Sequence, residues 1–160
     1  GDPEGYDDAT DELIFWMEGE GRLGRKAGAG FYAYDNAGKR LGLWEGLGDR
    51  YPMADTQPEL VEVQHRLLFA QVLEAVRALE EGVLTDIREG DVGAILGWGF
   101  APWSGGPFAW LDRIGAAAAA GRAAELAALN GPRFAPPALL VEMASRGESF
   151  ERRFDPARAA

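Results

Sequence analysis

From residue 60 to residue 79 the apolar side chains Leu60, Val63, Leu67, Leu68, Val72, Ala75, Val76 and Leu79 recur every three or four positions. That period puts them on one face of a helix and leaves the other face to charge. Thr56 reads as its cap and Pro58 as a first-turn residue. Glu59 and Glu62 favour the positive end of its dipole, and Gly82 is the stop. A helix of about 24 residues is roughly 36 Å long, the length of a core helix in an all-α domain.

The rest of the chain is punctuated in the same way. Ahead of that helix, Asp8 or Thr10 can cap a short helix through LIFWM that Gly19 and Gly21 end. Phe31 to Tyr34 and Leu41 to Trp44 flank the turn letters Asp35-Asn36-Ala37-Gly38, predicting a small β-hairpin near residues 30–44. Residues 45–57 read as a loop. Beyond Gly82, a cap at Asp86 or Asp91 starts a helix and Pro107 opens another that Gly115 closes. AAAAAGRAAELAALN forms a third, ended by Asn130-Gly131-Pro132, and Pro136 or Pro137 starts a last one that Gly147 ends. The segment ESFERRFDPARAA reads as a charged tail. The class is all-α, and irregular linkers argue against a plain up-down bundle.

Composition then excludes functions. With no cysteine there are no disulfides, thiol nucleophiles or Cys-based zinc sites, which suits a cytoplasmic protein. No apolar run approaches the roughly 18 residues of a membrane span. A net charge of −10 argues against nucleic acid as a partner. The charge is uneven: residues 1–20 carry eight acids and no base, whereas Arg22, Arg25, Lys26, Lys39 and Arg40 follow with only Asp35 among them. That basic patch either meets an anionic ligand or neutralises the acidic segment before it. The chain opens GDPEGYDDATDE without Met and reads as a piece of a longer protein.

Candidate chemistry is sparse. Gly28-x-Gly30-x-x-Ala33 matches the letters of the dinucleotide fingerprint, and Asp49 stands where a ribose acid would. The fingerprint works only as strand, turn and helix, because the pyrophosphate needs the free N–H groups of a helix start. Here a glycine-broken basic segment precedes it and a strand and turn follow. The lone histidine, His65, sits mid-helix near Glu62 and Arg66 with no evident orienting partner for general-base work. Asp86, Glu89 and Asp91 read as cap and solvated-face residues, without a metal-loop pattern. Ser104-Gly105-Gly106-Pro107 either offers N–H groups to an anion or turns tightly into a helix. Trp98, Phe100, Trp103, Phe108 and Trp110 belong to a core or a docking face, which spacing cannot decide.

Two stretches carry a resemblance. LGRKAGAGFYAYD is similar to the GRKxGxGFYxY signature of 3-hydroxyacyl-CoA dehydrogenases. VQHRLLFAQVLEAVRALEEGVLTDIREGDVGAILGWGFAPWSGGPFAWLDRIG resembles the second C-terminal repeat of multifunctional fatty-acid oxidation α-subunits, which fuse an enoyl-CoA hydratase to that dehydrogenase, and FAPPALLVEMASRGESF resembles their C-terminus. The resemblance implies an irregular helical fold of the 6-phosphogluconate dehydrogenase C-terminal-like type. Residues 1–44 would be the tail of a first helical repeat with the hairpin, 45–57 a linker, 58–154 a second repeat and 155–160 a tail. It also implies β-oxidation of acyl-CoA with NAD as cofactor. The NAD-binding Rossmann domain and the catalytic residues belong upstream, so no catalytic, NAD or metal residue falls here. Gly28, Gly30, Phe31, Tyr32, Gly105, Gly106 and Pro107 are motif residues with structural roles, Phe31 and Tyr32 packing on neighbouring helices. Arg25 and Lys26 are candidate contacts for the phosphates of coenzyme A. Where the family has Phe-Pro-Pro this chain has Phe100-Ala101-Pro102-Trp103, which touches loop rigidity. Implied partners are the upstream Rossmann domain and first repeat, a thiolase subunit, and a second copy of the fragment. The rival reading is a non-catalytic oligomerisation or docking module. Titrating the chain with NADH while following tryptophan fluorescence is expected to give no saturable response; a saturable one would restore the fingerprint at Gly28 and Gly30.

Overall fold

A computed structural model describes residues 8–154 and divides the chain into two compact units, Gly1–Gln57 and Pro58–Ala160. Eight α-helices and one antiparallel hairpin make up its regular structure among the described residues.

The first unit begins with α1 (Asp8–Gly19), whose cap falls outside the described side chains. A short 3-10 turn, Arg25–Ala27, leads into β1 (Tyr32–Tyr34), which pairs with β2 (Arg40–Leu43) in the register Tyr32↔Leu43, Ala33↔Gly42 and Tyr34↔Arg40. At the hairpin tip Asp35 Oδ1 accepts from the N–H groups of Ala37 and Lys39, both at 2.9 Å, and Gly38 turns the chain at φ +76°. Residues 45–57 are not simply a loop: α2 (Glu45–Arg50) starts directly after the hairpin. Its start is fixed because the Trp44 ring stacks on Trp16 at 5.3 Å while the Trp44 carbonyl accepts from Leu47 N–H. Arg22 covers Trp44 at 4.2 Å and Arg50 covers Trp16 at 4.8 Å, so two guanidinium groups cap a two-ring stack. Each such cation–π contact contributes about 0.5–1 kcal/mol at an exposed site. Arg22 also donates to the carbonyls of Gly30 (2.8 Å) and Tyr32 (3.2 Å), tying the stack to the glycine turn.

The second unit is built on α3 (Leu60–Glu80), which buries Phe69, Val72, Leu73, Ala75 and Val76. It starts later than the sequence predicts. Pro58 stays in the lead-in, Glu59 is still extended at ψ 141°, and no side chain caps the helix, Thr56 included. After Gly82 come α4 (Ile87–Trp98), α5 (Pro107–Ile114), α6 (Ala116–Asn130), α7 (Ala138–Arg146) and α8 (Phe150–Phe154). The Ala-rich α6 turns Ala116, Ala119, Ala123 and Leu126 inward, and α7 answers with Leu139, Leu140 and Met143. Small residues on one helix let the larger ones of its neighbour sit close. Aromatic rings fill the middle: Phe69 meets Trp110 edge-on at 5.4 Å, and Phe108 meets Phe150 at 5.2 Å.

The segment read as a charged tail contains α8, with Phe150 fully buried. Five residues cannot hold a helix on their own propensity. Asp112 of α5 holds this one, accepting from Phe150 N–H at 2.7 Å and Glu151 N–H at 2.8 Å. The same device recurs. Asp91 of α4 accepts from Phe108 N–H (2.7 Å) and Ala109 N–H (3.2 Å) of α5, and Glu80 of α3 accepts from Leu139 N–H (2.9 Å) of α7. Three helix starts are thus capped by a carboxylate from another helix. Replacing Asp112 or Asp91 by Ala is expected to lower the unfolding free energy in urea by about 1–2 kcal/mol each, as loss of a cap does, while Glu81→Ala changes little.

Candidate functional site

The motif that looked most like an anion site is closed by the protein itself. Gly106 precedes α5 at φ +115°, and the free N–H groups behind it already bond to Asp91. A Cβ at Gly106 would stand 2.4 Å from the Asp91 Cβ, and one at Gly90 would stand 2.7 Å from a Phe108 ring carbon. The Gly90-Asp91 and Gly106-Pro107-Phe108 stretches are therefore two halves of one knot between α4 and α5. Ser104, buried beside it, donates to the Ala101 carbonyl at 2.6 Å, accepts from Gly106 N–H at 3.1 Å, and its carbonyl receives Arg113 at 2.9 Å. Gly105 turns at φ +86° and Pro107 occupies the first position of α5. Burial raises the Asp91 carboxyl above the usual range, against the two backbone N–H groups that lower it, and the charge of Asp112 adds to the rise.

Asp86, by contrast, caps α4 in the ordinary way, accepting from Arg88 N–H at 2.9 Å. The Arg88 side chain bonds the same carboxylate and, with that backbone bond, holds the Asp86 carboxyl down to about 2. Of the two cap candidates, Asp86 starts its own helix and Asp91 starts another.

His65 has a partner that the sequence does not reveal. Its Nδ1 accepts from Arg122 Nε at 3.1 Å, across from α6, and its ring meets Phe69 edge-on at 5.9 Å. Glu62 receives both Arg66 and Arg122, and it is held below its ordinary range first by the Arg66 hydrogen bond, then by Arg122. This hydrogen bond fastens α3 to α6. Among the described residues no group of three or more His, Asp or Glu could hold a metal ion.

The fingerprint glycines shape a turn. Gly28 closes the 3-10 turn at φ +75°, and a Cβ at Gly30 would stand 2.8 Å from Gly24 Cα, where two backbone segments pass. Gly30 leads into strand β1, so these residues do not form the helix-start cradle that a dinucleotide pyrophosphate requires. Phe31 does not pack fully onto helices: it is 39% exposed, at the rim of a groove with Ile14 and Met17. Tyr32 lies under Arg40, ring to guanidinium at 4.6 Å.

Of the remaining concave surfaces among the described residues, two have a distinctive lining. On the first unit, Arg25, Tyr34, Ala37, Gly38, Lys39 and Arg40 line a hollow of about 520 Å³; Lys26, exposed on the same turn as Arg25, does not line it. On the second, Ala70, Ala75, Ala78, Leu84, Gly93 and Trp98 are among the residues lining an apolar groove of about 430 Å³ between α3 and α4. The tryptophans and phenylalanines of this region divide accordingly. Phe100, Phe108 and Trp110 are core, while Trp98 and Trp103 stand 62% and 67% exposed. Ala101 stands where the family has its first proline, and Pro102 opens the 3-10 turn that carries Trp103.

The geometry defines an irregular all-α domain with a small hairpin, in which both glycine-rich motifs are structural. The chain is 40% identical over 140 residues to the fatty acid oxidation complex subunit alpha of Shewanella amazonensis, covering 81% of the chain and 19% of that relative. The chain thus matches a segment of a fatty acid oxidation alpha subunit, as the motif resemblance implies, and it spans about a fifth of the relative's length. No protein-family model matches the chain.

The depressed Asp86 carboxyl carries a pH signature. Its folded value lies below the unfolded one, so its stabilisation is present above the ordinary aspartate range and is lost as pH falls through about 2. Asp86→Asn is expected to flatten the acid limb of the thermal melting curve between about pH 4 and pH 2, which scanning calorimetry would show.

Proposed function

We propose that this chain is the C-terminal all-α part of a bifunctional enoyl-CoA hydratase/3-hydroxyacyl-CoA dehydrogenase of fatty-acid β-oxidation. The observation that carries the reading is the 40% identity to a fatty acid oxidation alpha subunit over 81% of the chain. The knot between α4 and α5 supports it, because the similar family motif falls on that knot and on no catalytic group. In this reading water adds to a 2-enoyl-CoA, and a hydride then passes from C3 of the 3-hydroxyacyl-CoA to NAD, all on domains preceding these residues. This chain makes no bond to substrate. It supports one side of the acyl-CoA cleft and gives neighbouring domains an apolar face, for which Leu67, Leu96 and Trp98, all exposed, are available.

Grafting tests the reading. The matching segment of the Shewanella amazonensis subunit is replaced by this chain, and NADH oxidation by acetoacetyl-CoA is followed. The graft is expected to keep kcat/KM within about tenfold of the parent, while the isolated chain shows no turnover. A graft that folds and elutes like the parent but is inactive would overturn the assignment, as would turnover by the isolated chain.

A further inference from the structure

The hollow on the hairpin gathers three basic side chains that form no ion pair among the described residues. Arg25 reaches it from the 3-10 turn, and Lys39 and Arg40 reach it from the hairpin. Several basic side chains elsewhere find acids: Arg50 pairs with Glu12, Arg66 and Arg122 with Glu62, Arg77 with Glu74, and Arg153 with Glu142 and Glu148. The chain holds 26 acids against 16 lysines and arginines, so no shortage of acids leaves Arg25 and Lys39 without an ion pair among the described residues. The Arg40 guanidinium lies against the ring face of Tyr32. Asp35, the acid at the tip, is exposed, with its Oδ1 accepting from two backbone N–H groups.

We propose that this hollow binds the diphosphate group of a small molecule, held by the side chains of Arg25, Lys39 and Arg40. Three cations around one concavity match an anion of several charges; a lone carboxylate would leave most of them uncompensated. Guanidinium forks take phosphate oxygens in pairs, and a lysine adds a movable point charge. The ligand is small, because the net charge of −10 repels a long polyanion. Binding rests on side chains, since the tip N–H groups of Ala37, Gly38 and Lys39 already bond to Asp35. It is therefore strongly sensitive to salt. The inference does not rest on the β-oxidation reading.

The test is an amide NMR titration of the whole chain with inorganic pyrophosphate at low ionic strength, and a second with ADP. Saturable shifts confined to about residues 24–40 are expected, weakened about tenfold or more in Arg25→Glu and in Lys39→Glu, or by salt at about 0.3 M, and unchanged in Arg133→Glu. Tighter binding of ADP than of pyrophosphate would assign the diphosphate to a nucleotide-type ligand, and equal binding to a free diphosphate. No shifts, shifts spread over both units, or shifts indifferent to the Arg25 and Lys39 variants would overturn the site. So would binding that emerges only after Asp2, Glu4 and Asp7 are neutralised, since the patch would then serve the chain's own acidic segment.

Discussion

The second unit depends on carboxylates that one helix lends to the start of another. A helix leaves its first backbone N–H groups without partners, and a helix start packed against a core cannot leave them to water. Here α5, α7 and α8 give theirs to Asp91, Glu80 and Asp112. Because α5 both receives a cap from α4 and supplies one to α8, position and orientation pass along the chain of helices. Phe108 and Phe150 then meet where the caps have set them.

The glycines follow from that arrangement. Gly106 is required by a backbone at positive φ pressed against Asp91, and Gly90 by the ring of Phe108. In the first unit, Gly30 is required where it passes Gly24. Letters that in another context would approach a pyrophosphate are used here to bring protein backbone against protein. The stack of Trp16 and Trp44 between Arg22 and Arg50 then holds α1, the hairpin and α2 together, with little buried aliphatic surface to do so.

For function the consequence is a division of labour. The residues that resemble a fatty acid oxidation alpha subunit shape and join helices; His65, Glu62 and Arg122 fasten α3 to α6. What the chain offers outward is an apolar groove beside Trp98 and a cationic hollow beside Arg25.

Local chemistry explains what was readable in the residues alone. Helical period, proline starts and glycine stops are properties of a few neighbouring positions, so α4, α5, α6, α7 and the hairpin were legible nearly to their ends, and so was the strand that follows Gly30. The basic patch was visible too, as a cluster of letters. What tertiary structure decided were pairings between distant positions. Asp112 caps Phe150, Arg122 meets His65, Trp16 finds Trp44, and Lys39 and Arg40 rather than Lys26 join Arg25 at the hollow. A cap supplied from another helix has no sequence spacing to betray it. That is why α8 read as a tail and α2 as a loop: helices of five and six residues are too short to form from propensity and exist because of what they are fastened to.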